Sequence, residues 1–327
     1  MYLINWEIRG DKLPNQGVIA RELSKRFNKR LAVDAVSFQV DQGTVFGLLG
    51  PNGAGKTTII RMLTTLLSID GGQATVAGFD VATQGERVRA SIGLSGQFAA
   101  IDEALTGREN LEMVAMLYGI RRRDARVRSQ DLLESFELST AGNRPARTYS
   151  GGMRRRLDLA ATLVARPPIL FLDEPTTGLD PRSRVALWEL IESLVKDGTT
   201  IILTTQYLEE ADRLASRIAL MNKGTLVKIG TPSELKRDVG GEFVRVKPLY
   251  EHDVQLVSDV LQSFASAEVF RDTMDRSIRA LVKDGPSALA RVIDEMLAQR
   301  IEIDEIGLFK PNLDDVFLSL TGASTDE

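Results

Sequence analysis

The chain has no cysteine and a single histidine, His252. The first absence excludes a disulfide framework and thiolate metal sites, and the second leaves no Ser/His/Asp triad except through His252. No uninterrupted apolar run approaches the ~18–20 residues of a membrane-spanning helix, and residues 1–17 carry Glu7, Arg9, Asp11 and Lys12 where a signal peptide would be apolar. A soluble, cytosolic protein is the expectation. Charge of one sign is lacking too: 41 Lys plus Arg stand against 45 Asp plus Glu, a balance that argues against a general nucleic-acid binder.

What is present is a core. Apolar residues make up 43% of 327 positions, enough for one large domain or two smaller ones and too many for disorder. The charge is uneven, with 30 basic and 26 acidic side chains up to residue 230 and 11 and 19 beyond it. Such a shift fits a domain boundary, and Gly240-Gly241 reads as the linker. Residues 1–17 are an N-terminal extension, 18–239 a first domain, and 240–327 a second.

Short runs rich in β-branched residues at 18–20, 35–40, 44–49 and 74–77 predict a β-rich start. From Lys56, Ile59, Met62, Leu63 and Leu66 recur at helical spacing, so the order there is strand, glycine loop, helix. Residues 101 to about 165 read as a helical insert, with Leu111, Val114, Ala115, Leu117 and Tyr118 on one face and Leu132, Leu133 and Phe136 on another. The apolar runs 169–172 and 200–203, separated by a helix over 183–195, predict buried strands of a parallel sheet. Asn222-Lys223-Gly224 predicts a hairpin turn. Beyond residue 240 the order strand, helix, strand, strand, helix, strand and closing helix is the ferredoxin-like arrangement.

Gly50-Pro51-Asn52-Gly53-Ala54-Gly55-Lys56-Thr57 fits G-x-x-x-x-G-K-[ST], with Thr58 following. Glycines let successive backbone N–H groups turn inward around phosphate oxygens, and the next helix presents its positive end to them. Lys56 is placed to reach the β- and γ-phosphates, and the Thr57 hydroxyl to ligate Mg²⁺. Asp173, at the end of a buried strand, is the acidic partner for that ion, and Glu174 beside it is free to orient an attacking water.

Three segments together, Gly50 to Thr58, Tyr149-Ser150-Gly151-Gly152-Met153, and Leu172-Asp173-Glu174-Pro175-Thr176-Thr177-Gly178-Leu179-Asp180, resemble the nucleotide-binding subunit of ATP-binding-cassette (ABC) transporters. The resemblance covers about residues 18–238. It implies an α/β P-loop NTPase fold of ABC ATPase type with a helical subdomain at about 99–165, followed by the small α+β domain. It also implies that Phe27 stacks on adenine, that Gln97 touches Mg²⁺ or the attacking water and relays to a membrane partner, and that Ser150, Gly151 and Gly152 close on the γ-phosphate held by an opposite subunit. Asp180 matches the loop that contacts that subunit. One phosphate loop and one signature loop per chain imply two copies meeting head to tail.

Where the family usually has a histidine after the strand at 200–203, this chain has Gln206, which donates an amide N–H but carries no proton. That glutamine, with Tyr149 to Asp158 and the tail Leu313-Asp314-Asp315-Val316-Phe317-Leu318, narrows the resemblance to the daunorubicin-resistance type of drug exporter. The implied protein is an ATPase subunit at the cytoplasmic face of the membrane, with ATP and Mg²⁺ as cofactors. Its partners are a second copy of itself and an integral membrane permease, and no nucleic acid. The sequence also admits two alternatives: a nucleotide-gated regulatory subunit with weak hydrolysis, which Gln206 favours, and a soluble non-transport ABC ATPase. Arg121-Arg122-Arg123 with Arg126 and Arg128 suits a solvated face, as a charge run in a helical insert usually does, or else phosphate or lipid headgroups, and Arg154-Arg155-Arg156 offers a guanidinium near the nucleotide or the partner.

Overall fold

The computed structural model describes residues 16–28, 30–96, 101–267, 269–272 and 275–321. Contacts divide the chain into two units, Met1–Thr231 and Pro232–Glu327.

The first unit opens with strands β1 (Gln16–Phe27), β2 (Arg30–Asp41) and β3 (Val45–Leu49). Helix α1 (Lys56–Leu63), β4 (Gly71–Val76), β5 (Phe79–Asp80), α2 (Gly85–Ala90) and β6 (Ile92–Ser95) follow. The helical insert is α3 (Gly107–Leu117), α4 (Arg122–Ser135) and α5 (Gly151–Thr162). Then come β7 (Ile169–Asp173), α6 (Pro181–Lys196), β8 (Thr200–Thr205), α7 (Leu208–Leu214), β9 (Arg217–Asn222) and β10 (Thr225–Gly230). One antiparallel sheet has the order β2-β1-β4-β5, and a six-stranded sheet runs β10-β9-β3-β8-β7-β6 with every pair parallel except β9 with β10. Every residue of β7 and β8 is buried, as a strand covered on both faces requires.

Helix α1 joins the two sheets. Its Ile59, Ile60, Met62 and Leu63 enter one apolar cluster with Val18 and Phe38 of the first sheet and Phe46, Phe171 and Ile202 of the second; Phe38 and Phe46 stack at 5.0 Å. The helix stops at Leu63, and Leu66, expected on its apolar face, is exposed. Helix α3 starts from a capping box in which Thr106 accepts from Glu109 N and the Glu109 carboxylate accepts from Thr106 N. It buries Leu111, Val114 and Ala115, but Leu117 is 79% and Tyr118 50% exposed, so the expected five-residue face is a three-residue one. At 3.6 residues per turn Leu117 points about a third of a turn away from Leu111. Tyr118 lies past the helix end, where Gly119 (φ 76°) reverses the chain.

The second unit contains α8 (Pro232–Val239), β11 (Glu242–Pro248), α9 (Val254–Phe264), β12 (Phe270–Arg271), β13 (Ile278–Val282), α10 (Gly285–Ala298), β14 (Ile303–Phe309) and α11 (Leu313–Thr321). Its sheet has the order β12-β13-β11-β14, antiparallel throughout, which is the ferredoxin-like topology read from the sequence. Val244, Val246 and Ile278 of the strands and Val257, Leu261, Val292 and Met296 of α9 and α10 share its core. Helices α8 and α11 pack together. Asn312 and Asp315 cap α11 reciprocally: Asp315 N donates to Asn312 Oδ1 at 2.9 Å and Asn312 N to Asp315 Oδ2 at 2.8 Å. Arg279 of β13 reaches the other oxygen of that buried carboxylate at 3.1 Å.

Candidate active site

After β3 the chain turns through Gly50-Pro51-Asn52-Gly53-Ala54-Gly55 into the first turn of α1. A Cβ on Gly50 would sit 2.3 Å from the Met221 carbonyl oxygen, and one on Gly55 (φ 100°) 2.7 Å from that of Ala32. Only glycine lets the loop lie this close to β9 and β2. The loop is braced from outside as well, since Gly224 N donates to the Ala54 carbonyl at 3.2 Å.

Lys56 is 4% exposed. Its Nζ donates to the carbonyls of Gly50 at 2.6 Å and Pro51 at 3.1 Å, and lies 3.9 Å from Glu174 Oε1. Burial pulls its pKa below the ordinary lysine value, with Glu174 and Asp173 opposing. Asp173, at the end of β7, accepts from Thr57 Oγ1 at 3.1 Å and from Thr204 Oγ1 at 2.5 Å, both on Oδ1. Glu174 follows in the left-handed region (φ 49°), a conformation that costs a non-glycine residue about 1–3 kcal/mol unless its surroundings impose it. Here Glu174 N donates to the carbonyl of Thr204 at 3.1 Å and to Thr204 Oγ1 at 3.0 Å. The turn aims the carboxylate back toward Lys56.

A cavity of about 620 Å³ opens over these groups, lined by Phe27, Arg30, the segment from Asn52 to Thr58, Glu174 and Lys223. Its volume suits a drug-sized or nucleotide-sized ligand. Phe27, 45% exposed, presents a ring to it. Asp173 joins the group through Thr57, and Gly50 and Pro51 contribute carbonyls to Lys56. The other expected residues lie elsewhere. Ser150 caps α5, accepting from Met153 N at 3.3 Å, and Gly151 is exposed with no heavy atom within 4 Å of a Cβ placed there. Gly152 backs onto Ser183, whose Oγ donates to Asp180 Oδ2 at 2.7 Å. That hydroxyl, with the Ser183 N–H, holds the Asp180 carboxyl below the usual range. Half-buried Gln206 follows β8, two positions past Thr204. Gln97 lies outside the described residues.

The fit to Mg²⁺ rests on donor chemistry. A hydroxyl and a carboxylate, both hard oxygen ligands, already meet at Thr57 and Asp173. Among the described residues no group of three or more His, Asp or Glu could hold a metal by itself, so an ion here would share its shell with phosphate oxygens.

The arginines next to Ser150, Gly151 and Gly152 all have partners within this chain. Arg154 pairs with Glu103 at 3.1 Å and Arg156 with Glu137 at 3.0 Å. Arg155 turns inward and donates to the carbonyls of Pro175 at 2.9 Å, Gly96 at 3.1 Å and Asp173 at 3.3 Å, with that of Glu174 at 3.5 Å. Asp158, which accepts from Ser95 Oγ at 2.6 Å, flanks it at 3.5 Å. One guanidinium thus ties the α5 helix to the backbone on both sides of Glu174 and to the residue before Gln97. Glu210 is the second group the sequence did not single out. It is fully buried and accepts from Trp188 Nε1 at 3.2 Å; burial pushes its carboxyl up, against the opposing hydroxyls of Thr205 and Thr176, the Trp188 N–H and Arg184. Arg30 carried no motif and Lys223 was marked only as part of a hairpin turn; both became visible as cavity-wall residues only through folding.

Residues 33–177 match the family model described as ABC transporter. The chain is 50% identical over 309 residues, 94% of its length and 96% of the relative's, to the daunorubicin resistance ATP-binding protein DrrA2 of Streptomyces coeruleorubidus. It is 44% identical, over 96% of its length and 95% of the relative's, to the daunorubicin/doxorubicin resistance ATP-binding protein DrrA of Streptomyces peucetius. Among solved structures it superposes on the ATP-binding subunit of an ABC transporter with a TM-score of 0.61 and 28% identity, covering 68% of this chain and 92% of that one.

Proposed function

Because this chain belongs to the ABC transporter family, as an ATP-binding subunit and hence an ATPase, we propose that two copies meet head to tail over two ATP molecules and drive efflux of drugs or antibiotics through a separate membrane permease. The drug-export reading is supported by the names of the two Streptomyces relatives. The observation that carries the two-copy reading is that Lys56, Thr57, Asp173 and Glu174 converge at one cavity while Ser150 to Gly152 of the same chain do not line it. The signature loop is left exposed at a helix N-terminus, a place suited to an anion.

In this reading the backbone N–H groups from Asn52 to Thr58 and the Lys56 ammonium hold the ATP phosphates, and Phe27 stacks on the adenine. Thr57, Asp173 and Gln97 would hold Mg²⁺, which supplies charge neutralisation for the phosphoryl oxygens. Glu174 orients and polarises the attacking water, and Gln206 donates its amide N–H to the γ-phosphate without taking up a proton. Ser150, Gly151 and Gly152 complete the other copy's site, and Asp180 lies at the contact between copies. Gln97 and the helical insert dock the permease at the cytoplasmic face of the membrane. The C-terminal α+β unit serves dimerisation or regulation.

Steady-state ATP hydrolysis against protein concentration tests this, with Lys56→Ala and Glu174→Gln as controls. Turnover rising more than linearly with concentration and lost in both variants is the expected result. Turnover linear in concentration would overturn the two-copy site. A large gain in Gln206→His would favour a nucleotide-gated regulatory subunit instead.

A further inference from the structure

We propose that the turn between α3 and α4 is a second contact with the membrane, one that binds the headgroups of an anionic lipid bilayer directly; it rests on the reading of the chain as a subunit that works at a membrane. Met116 is 47%, Leu117 79%, Tyr118 50% and Val127 59% exposed, so four of the large exposed apolar side chains fall within twelve positions. Arg121, Arg122, Arg123 and Arg126 are exposed among them, and Asp124 is the one acid in the stretch.

These guanidiniums differ from their neighbours. Arg108 donates to Asn143 and Gln130, Arg128 to the carbonyls of Leu163 at 2.9 Å and Val164 at 3.3 Å, and Arg154 and Arg156 are in ion pairs. Arg128, expected to belong to the basic group, is therefore a cap on the end of α5. Among the described residues, the guanidiniums of Arg121, Arg122, Arg123 and Arg126 have no hydrogen bond or ion pair. The turn itself is fixed: Gly119 N donates to Met116 O at 2.9 Å and Ile120 N to Ala115 O at 3.0 Å, closing the end of α3. The surface is thus formed before it meets a partner, with little left to order on binding.

The chemistry fits a bilayer surface. Leucine, methionine and tyrosine side chains enter the headgroup boundary, while guanidiniums pair with phosphates and let their stems lie along apolar surface. Arg121 to Arg123 span about 200° around the helix start at 3.6 residues per turn. A plane of many headgroups satisfies charges spread over such an arc, whereas one acidic peptide strand would meet only part of them. Another exposed apolar group, Leu249, Tyr250 and Leu256, has Glu251 and Asp253 between its members and would be repelled by the same surface.

The test is co-sedimentation of the full chain with vesicles of phosphatidylcholine alone or with one quarter phosphatidylglycerol, in 0.1 and 0.5 M salt. Binding at least tenfold stronger to the anionic vesicles, weakened by salt, is expected. Replacing Arg121, Arg122, Arg123 and Arg126 with Gln should cost at least tenfold, the four Lys replacements should retain most of the binding, and Leu117→Ser with Tyr118→Ser should cost several-fold, all with ATP affinity unchanged. Equal binding to both vesicles, or full binding by the Gln variant, overturns the proposal. An acidic protein as the true occupant would appear as no vesicle binding by the unaltered chain. Concentration-dependent ATP hydrolysis without vesicle binding would sink this proposal alone; vesicle binding without ATP turnover would sink the transporter reading and leave the lipid contact standing.

Discussion

Both units of the chain bury a carboxylate beside a basic side chain, and they do so to different ends. In the C-terminal unit Asp315 gives one oxygen to Arg279 and the other to the Asn312 N–H, so its charge is spent on holding α11 to the sheet. In the first unit Asp173 accepts from two hydroxyls on a single oxygen, Lys56 is held by main-chain carbonyls, and Glu174 lies 3.9 Å from that lysine in a left-handed turn. A buried charge whose partners are fixed on neighbouring elements stabilises a fold. Charges held by backbone and hydroxyl groups at a cavity wall keep bonding capacity for a ligand.

The strongest way to break this contrast is at the cavity. Glu174→Gln or Lys56→Ala should lower kcat for ATP by about 10²–10³ or more, leaving the thermal unfolding of the C-terminal unit where it was. The reciprocal change, Arg279→Ala, leaves Asp315 buried without its ion pair. It should cost the C-terminal unit about 1–3 kcal/mol in urea unfolding while ATP affinity stays the same; a loss of nucleotide binding would show that the two kinds of buried charge are not separable.

Arg155 sharpens the comparison because it is a half-buried charge of the fixed kind placed behind a site of the other kind. Arg155→Gln should lower kcat by about tenfold, a loss of ~1.4 kcal/mol, with ATP affinity retained. In a Glu174→Gln background it should add nothing further, since groups that act as a unit are non-additive. Full additivity would mean that Arg155 does not act through Glu174.

The smallest effect concerns Glu210, whose pKa burial raises above 4.5. The folded chain then holds a proton more tightly than the unfolded one, so stability falls as pH rises from the unfolded carboxyl value through the folded one. Glu210→Gln removes that dependence. The stability of the variant relative to the parent should improve as pH rises from the unfolded carboxyl value and level off once the folded carboxyl has ionised, as urea unfolding of both proteins across that range would show.

The parts of this molecule that could be read from sequence are those whose signal is local. The phosphate loop announces itself because a glycine pattern between a strand and a helix serves one geometry, and the C-terminal topology follows from clean alternation of short strands and helices. Leu66 and Leu117 misled because periodicity does not say where a helix stops. Arg155 and Glu210 were illegible for another reason. Their partners are carbonyls, hydroxyls and an indole from distant segments, which no spacing rule encodes; the run Arg154-Arg155-Arg156 gave no sign that its middle member turns inward.

The β9–β10 turn has a consequence for the order in which the protein is made. Lys223 and Gly224 both adopt positive φ, and Gly224 braces Ala54 and accepts from Asp34 N at 2.9 Å, while Met221 closes over Gly50. A chain still emerging from the ribosome therefore carries the phosphate-loop sequence long before it carries the backbone that gives that loop its shape. Nearly all of the first unit must be synthesised before this non-local closure is available. Nucleotide capture is in this sense a late event in the life of the nascent chain, and fragments ending before residue 217 should emerge without it.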